Sequence, residues 1–184
     1  MNTYLDTLGS MVLGTLLMIS LLAFYNNFST ERYMSNLWII SQNNAAALSQ
    51  VIGNDLRKIG YNVPSSNNSI TSADSSSLSF LLDLDSDGNV DSVRYCVGSS
   101  SETPGTDNPN DRLFYRIVNG QNTRGSLLGL TGFKLFYFDS TGAITGILSN
   151  IREIEIFLTI ESPVTLENYY PTVFIRKKVK PKNI

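Results

Sequence analysis

The 184 residues contain no histidine and a single cysteine. Without imidazole, a His-based catalytic triad or a His-ligated zinc site is excluded, and a thiol nucleophile lacks its usual base. Cys96 alone forms no internal disulfide. It stands in the strand-like run Val93–Val97 (VRYCV) and reads as a small buried hydrophobe. The formal net charge is only −2, which argues against a nucleic-acid partner. No catalytic constellation emerges, so the chain is expected not to be an enzyme. Lysine and arginine are missing before Arg32. A secretory signal peptide needs a basic start and a small-residue cleavage site, and an ordinary signal anchor needs basic residues on its cytoplasmic side. The expectation is therefore that a basic leader once preceded Met1 and has been removed.

What is present is a long apolar segment. Thr7 to Thr30 carries no charge, and Leu8 to Phe24 (LGSMVLGTLLMISLLAF) is almost wholly apolar. As a helix these residues span roughly 36 Å, enough to cross a bilayer core of about 30 Å. Gly9, Ser10, Gly14 and Thr15 lie among Leu, Ile and Met, so another helix could approach closely. A plain anchor that packs on nothing is the simpler alternative. Phe24, Tyr25 and Phe28 suit a membrane interface. Asp6, one or two turns in, either pairs with an N-terminal ammonium in a low-dielectric surround or merely caps the helix in water.

The helix is predicted to continue to about Ile59. Residues 31–59 lack proline, and Leu37, Ile40, Ala47, Leu48, Val51, Ile52, Leu56 and Ile59 recur at three- and four-residue steps. Gly60 is the expected stop, followed by Pro64. Gly53 weakens the last turns by about 1 kcal/mol relative to Ala. The remaining residues suffice for one domain with its own core. After a polar loop, Ser65 to Ser77, strands are predicted at Leu78–Leu84, Val90–Val97, Arg112–Val118, Gly132–Phe138, Ile144–Leu148, Ile151–Ile160 and Tyr170–Val179. Asp87-Gly88 between two apolar runs is a hairpin signal. Short connections favour an antiparallel meander. The reading is an α+β fold in three segments: residues 1–30 an apolar transmembrane or filament-core helix, 31–60 its amphipathic continuation, and 61–184 an antiparallel β domain on which that continuation packs.

This layout, with NDLRKIGY (Asn54–Tyr61), SLSFLLDLDSDGNVDSVRYCV (Ser77–Val97), RLFYRIVNG (Arg112–Gly120), LTGFKLFYFDSTG (Leu130–Gly142) and NIREIEIFLTIE (Asn150–Glu161), resembles the type IV pilin superfamily. It is closest in style to the larger minor pilins and the J-type pseudopilin of type II secretion. The resemblance implies a structural subunit of a pilus-like filament or pseudopilus. Such a subunit waits in the inner membrane and then joins an extracellular filament or a periplasmic pseudopilus, beside copies of itself or other pilin-like subunits. Asp6, Gly9, Gly14 and Leu17 are the residues expected to matter for assembly. Two departures stand out. Family members carry a glutamate just inside the mature N terminus, for which Asp6 is the only candidate here, and many close a C-terminal loop with a disulfide. The rival reading is a membrane-anchored extracytoplasmic ligand-binding or sensor module. A sensor should carry a cytoplasmic output segment, and only six residues precede Thr7.

Three further features bear chemistry. Asp83, Asp85, Asp87 and Asp91 fall at positions 1, 3, 5 and 9 of a calcium-type loop, with Gly88 at position 6 and the Asn89 carbonyl at position 7. Position 12 is Arg94 rather than the bidentate glutamate. A plain acidic hairpin turn competes with a weak calcium site. The cations Arg176, Lys177, Lys178, Lys180 and Lys182 either protect an edge strand or meet a subunit or an acidic polymer. Asn27 and Asn67 head glycosylation-type triplets, and the aromatics from Phe24 to Trp38 read as belt and core rather than as a conductive stack.

Overall fold

The computed structural model describes residues 2–64, 68–121, 125–165 and 169–184, so the triplet at Asn67 starts outside the described residues. The fold is α+β. Helix α1 spans Asn2–Arg57. One sheet follows, made of β1 (Ile70–Ala73), β2 (Leu78–Leu82), β3 (Asp91–Val97), β4 (Arg112–Val118), β5 (Ser126–Phe138), β6 (Glu153–Glu161) and β7 (Thr172–Val179). Every strand pairs antiparallel with the next, in the order β1 to β7, which is the expected meander. The chain divides into two compact units, Met1–Leu37 and Trp38–Ile184, so the expected middle segment 31–60 is shared between them.

In the second unit, the end of α1 and one face of the sheet make a single core. Ala45, Leu48, Ile52 and Leu56 recur at helical spacing, and Ile59 follows just past the helix. Opposite them stand alternate residues of the strands: Leu78, Phe80 and Leu82 of β2, Phe133, Leu135 and Tyr137 of β5, and Ile154, Ile156, Leu158 and Ile160 of β6. A row of rings, Phe80, Tyr95, Phe114 and Phe133, crosses β2 to β5 with centroids 5.3–5.7 Å apart. Each large side chain fully buried this way contributes about 1.5–3 kcal/mol.

The helix stripe differs from expectation. Leu37, Leu48, Ile52, Leu56 and Ile59 are buried, whereas Ile40, Ala47 and Val51 are exposed. Those three keep the same spacing but lie about a third of a turn round, and the sheet covers one face only. The buried face includes polar residues instead, among them Ser41, Ser49 and Asp55. Gly53 also has a reason to be there. Lys177 reaches across to donate to the Ser49 carbonyl at 3.0 Å, and a Cβ on Gly53 would meet its Nζ at 2.5 Å.

Five other expectations are corrected. The polar loop Ser65–Ser77 contains β1, which is too short and hydroxyl-rich to show an apolar pattern but buries Ile70 by pairing with β2. Strand β5 begins at Ser126 rather than Gly132, because the register shift between Leu130 and Gly132 breaks the alternation by which a strand is read. Ile144–Leu148 is not a strand. A lone bridge joins Phe138 to Ile144, and a 3-10 turn follows at Leu148–Asn150, because neither Ile144 nor Ile147 has a buried face to fill. The helix ends at Arg57, short of Gly60. Gly60 has φ +79°, its N–H donates to the Leu81 carbonyl at 2.9 Å, and a Cβ there would collide with the Asn183 carbonyl. Cys96 is half-buried rather than buried.

The cationic tail is largely engaged within the chain. On the outer face of β5–β7, Arg176 binds Glu155 through two hydrogen bonds of 2.6 and 3.2 Å and lies over the Phe157 ring. Lys178 and Lys180 both bind Glu153, at 2.9 and 3.3 Å. This favours the edge-strand reading of the tail over an acidic partner. The hydrogen bond from Lys178, outweighing burial, sets the Glu153 carboxyl below its ordinary 4.5. The stability it contributes is therefore complete above that pH and is lost as the pH falls through the lower folded value.

One polar cluster fastens α1 to the middle of the sheet. Asp55, in the last turn of the helix, accepts from the Tyr95 hydroxyl at 2.5 Å and from Arg116 Nε at 2.7 Å. Burial, with the Asp55 charge second, pushes the Tyr95 hydroxyl far above its ordinary value, so it stays a donor. Asp55→Ala would leave the buried Tyr95 hydroxyl without its acceptor and remove the ion pair to Arg116. The expected loss is about 3 kcal/mol, at the low end for a buried pair because Arg116 is partly exposed. Chemical denaturation of the full chain in detergent measures it.

Candidate functional site

Two regions hold the residues singled out from the sequence. The first is the apolar half of α1. An 18-residue window there has mean hydropathy 2.0 and none of it is buried, so the helix is long and apolar enough to anchor in a membrane. Four of its hydroxyls are satisfied within the helix: Thr7 donates to the Tyr4 carbonyl, Ser10 to Thr7, Thr15 to Met11 and Val12, and Ser20 to Leu16, all at 2.9–3.0 Å. Polar side chains closed on their own backbone in this way enter an apolar medium at low cost.

Asp6 lies inside the helix rather than at its cap, which removes the capping reading. The ammonium of Met1 lies outside the described residues. At 100° per residue, Asp6, Gly9, Ser10, Gly14, Leu17 and Ser20 fall within an arc of roughly 140°. Leu17 is exposed, and a Cβ added at Gly9 or Gly14 meets nothing within 4 Å. Phe24 and Phe28 stack at 6.1 Å, with Arg32 over the Phe28 ring at 5.7 Å. These are contacts of helical spacing that tie the aromatic girdle together.

The second region is the β2–β3 connection. It forms the hairpin that the Asp-Gly pair signals, with Ser86 and Gly88 both at positive φ. Asp83, Asp85 and Asp91 come together, with one oxygen of each within 4.8 Å of the others. Asp87 is turned to another task, because its two oxygens accept from the backbone and side-chain N–H groups of Asn89, each at 2.8 Å. Arg94, at the expected twelfth position, is exposed on β3 opposite Ser79.

Asp83 is the hub of this loop. Fully buried, it accepts from Asn62 Nδ2 at 2.8 Å, from the Gly88 N–H at 3.1 Å and from the Asp87 N–H at 3.2 Å. The Asn62 bond above all holds its carboxyl below the ordinary value, against the opposing effect of burial. The Asn89 side chain chiefly does the same for Asp87. Asp91 accepts from the Leu84 N–H at 3.0 Å and from Asn119 Nδ2 at 2.7 Å.

Sequence reasoning missed the two asparagines that organise the loop. Asn62 and Asn119 both have positive φ, which asparagine tolerates better than most residues. The Asn119-Gly120 pair is itself a hairpin signal, whereas nothing in sequence marks Asn62. Ordinary hydrogen bonds thus hold the carboxylates in place, and three of them offer oxygen ligands of the type calcium takes.

No protein-family model, curated protein or solved structure matches the chain.

The hydrogen-bond pattern separates the aspartates by role. Asp83→Ala is expected to lower the melting temperature of the full chain by several degrees with chelator present. Asp85→Ala, whose carboxylate accepts one exposed backbone bond, leaves it unchanged. Scanning calorimetry of both variants checks the difference.

Proposed function

We propose that this chain is a structural subunit of a pilin-like filament, of the type IV pilus or type II secretion pseudopilus kind, that waits in the membrane and assembles through the apolar half of α1. The supporting observation is the division of labour along one helix. Its second part is buried against an antiparallel sheet, and the apolar window before it has no protein cover at all. About 25 cal/mol per Å² of apolar surface favours moving such a segment out of water, into lipid or among its own copies. The face carrying Gly9, Ser10 and Gly14 admits a close neighbour, which lipid alone does not require. Repeating one such contact without closure generates a helical filament. The role is structural rather than catalytic.

Gly9→Leu with Gly14→Leu tests this reading. Open space surrounds both positions in the single chain, and replacing a mid-helix glycine favours the helix by up to about 1 kcal/mol each. The double variant is expected to insert in the membrane and keep its sheet, yet to lose filaments in electron micrographs of producing cells. Normal filaments from the variant would refute the proposed packing.

A further inference from the structure

Asn119 and Gly120 make the tight turn that follows β4, and they are the one Asn-Gly pair in the sequence. Asn119 has φ +52° and Gly120 φ +70°, and the Gln121 N–H closes the turn on the Val118 carbonyl at 3.0 Å. Two successive positive φ values are what a type I′ turn requires, and Asn-Gly is a preferred pair for it. Both residues are exposed, and a Cβ added at Gly120 would meet nothing within 4 Å.

The Asn119 carboxamide also holds a second element. Its Oδ1 accepts from the Ser92 N–H at 2.9 Å, and its Nδ2 donates to Asp91 Oδ1 at 2.7 Å. Asp91 begins β3 and accepts from the Leu84 N–H at 3.0 Å, so the carboxamide ties this turn to the acidic hairpin. The same group is a latent electrophile. Glycine places no side chain in the way of its own backbone nitrogen, so that nitrogen can reach the preceding side-chain carbonyl carbon. A bond forms between the Gly120 nitrogen and Asn119 Cγ, the Cγ–Nδ2 bond breaks, and the proton lost by Gly120 leaves with ammonia. Water then opens the cyclic imide. Attack at one carbonyl gives aspartate, and attack at the other gives isoaspartate. Water is the only other reactant.

We propose that Asn119 is a self-modification site, converted to an acid by its own neighbour Gly120 and water, restrained in the folded chain by Asp91, and loosening the acidic hairpin once converted. The restraint follows from the hydrogen bonds, because the carboxamide must leave Ser92 and Asp91 before its carbon can be attacked. The consequence follows from charge. Conversion replaces the donor facing Asp91 with a second carboxylate, and two carboxylates that close cannot both stay ionised. Isoaspartate adds a backbone methylene as well, which a turn closed between Val118 and Gln121 does not accommodate. The inference is independent of the filament reading.

The test is prolonged incubation of the full chain in detergent at mildly alkaline pH, followed by peptide mapping with mass spectrometry. Asn119 is expected to gain the mass of acid over amide before any other asparagine does, and more slowly than in the same chain unfolded in urea. Asp91→Ala should speed conversion in the folded chain by about tenfold, since a hydrogen bond to a charged group no longer has to break first. Asn119→Asp should lower the melting temperature by several degrees, and adding Asp91→Asn should restore most of the loss. Should Asp91→Ala fail to fold, that pair carries the comparison. No conversion at Asn119 in the folded parent, under conditions that convert the urea-treated chain completely, would overturn the site. Equal rates in the parent and a folded Asp91→Ala chain would overturn the restraint. An unchanged melting temperature for Asn119→Asp would overturn the consequence.

Discussion

Burial of one stripe of α1 by the sheet is the constraint on which the second unit depends. The seven-stranded meander has one apolar face, and among the described residues no second sheet covers it. The stripe Ala45, Leu48, Ile52 and Leu56 supplies that cover. The same requirement, met inside the chain at one end of the helix, is left unmet at the other. There the helix is apolar all round and exposed. Such a segment is long and apolar enough to anchor in a membrane.

Polar contacts then decide how the helix is seated. Apolar packing alone would tolerate rotation or sliding of the stripe over the sheet. Asp55 held by Tyr95 and Arg116, and Lys177 held by the Ser49 carbonyl, each fix one point of contact. Just beyond the helix, Gly60 hands the chain to β2 through its N–H, and Asn62 continues into the acidic hairpin by binding Asp83. The loop that looks like a cation site in sequence is thus also the structure that receives the end of the helix.

Much of this was legible in the residues. The length and apolarity of the helix, the meander and most of its strands follow from period, turn residues and short connections. The face of the helix did not, because Ile40, Ala47 and Val51 repeat the same spacing as the buried set, and only the sheet chooses between them. β1 was hidden for a different reason: its short run Ile70–Ala73 carries no alternation, and pairing with β2 makes the strand. In the hairpin loop the grouping of Asp83, Asp85 and Asp91 was readable from spacing, but the diversion of Asp87 to Asn89 was not.

Assembly through the apolar half of α1 is the central claim. Electron cryomicroscopy of material purified from the cell surface or envelope addresses it most directly. The expected result is a fibre in which this chain repeats helically, with Thr7 to Thr30 packed helix against helix along the axis and the sheets outside. Isolated subunits in the membrane, or fibres whose axis is formed by the sheets, would contradict it.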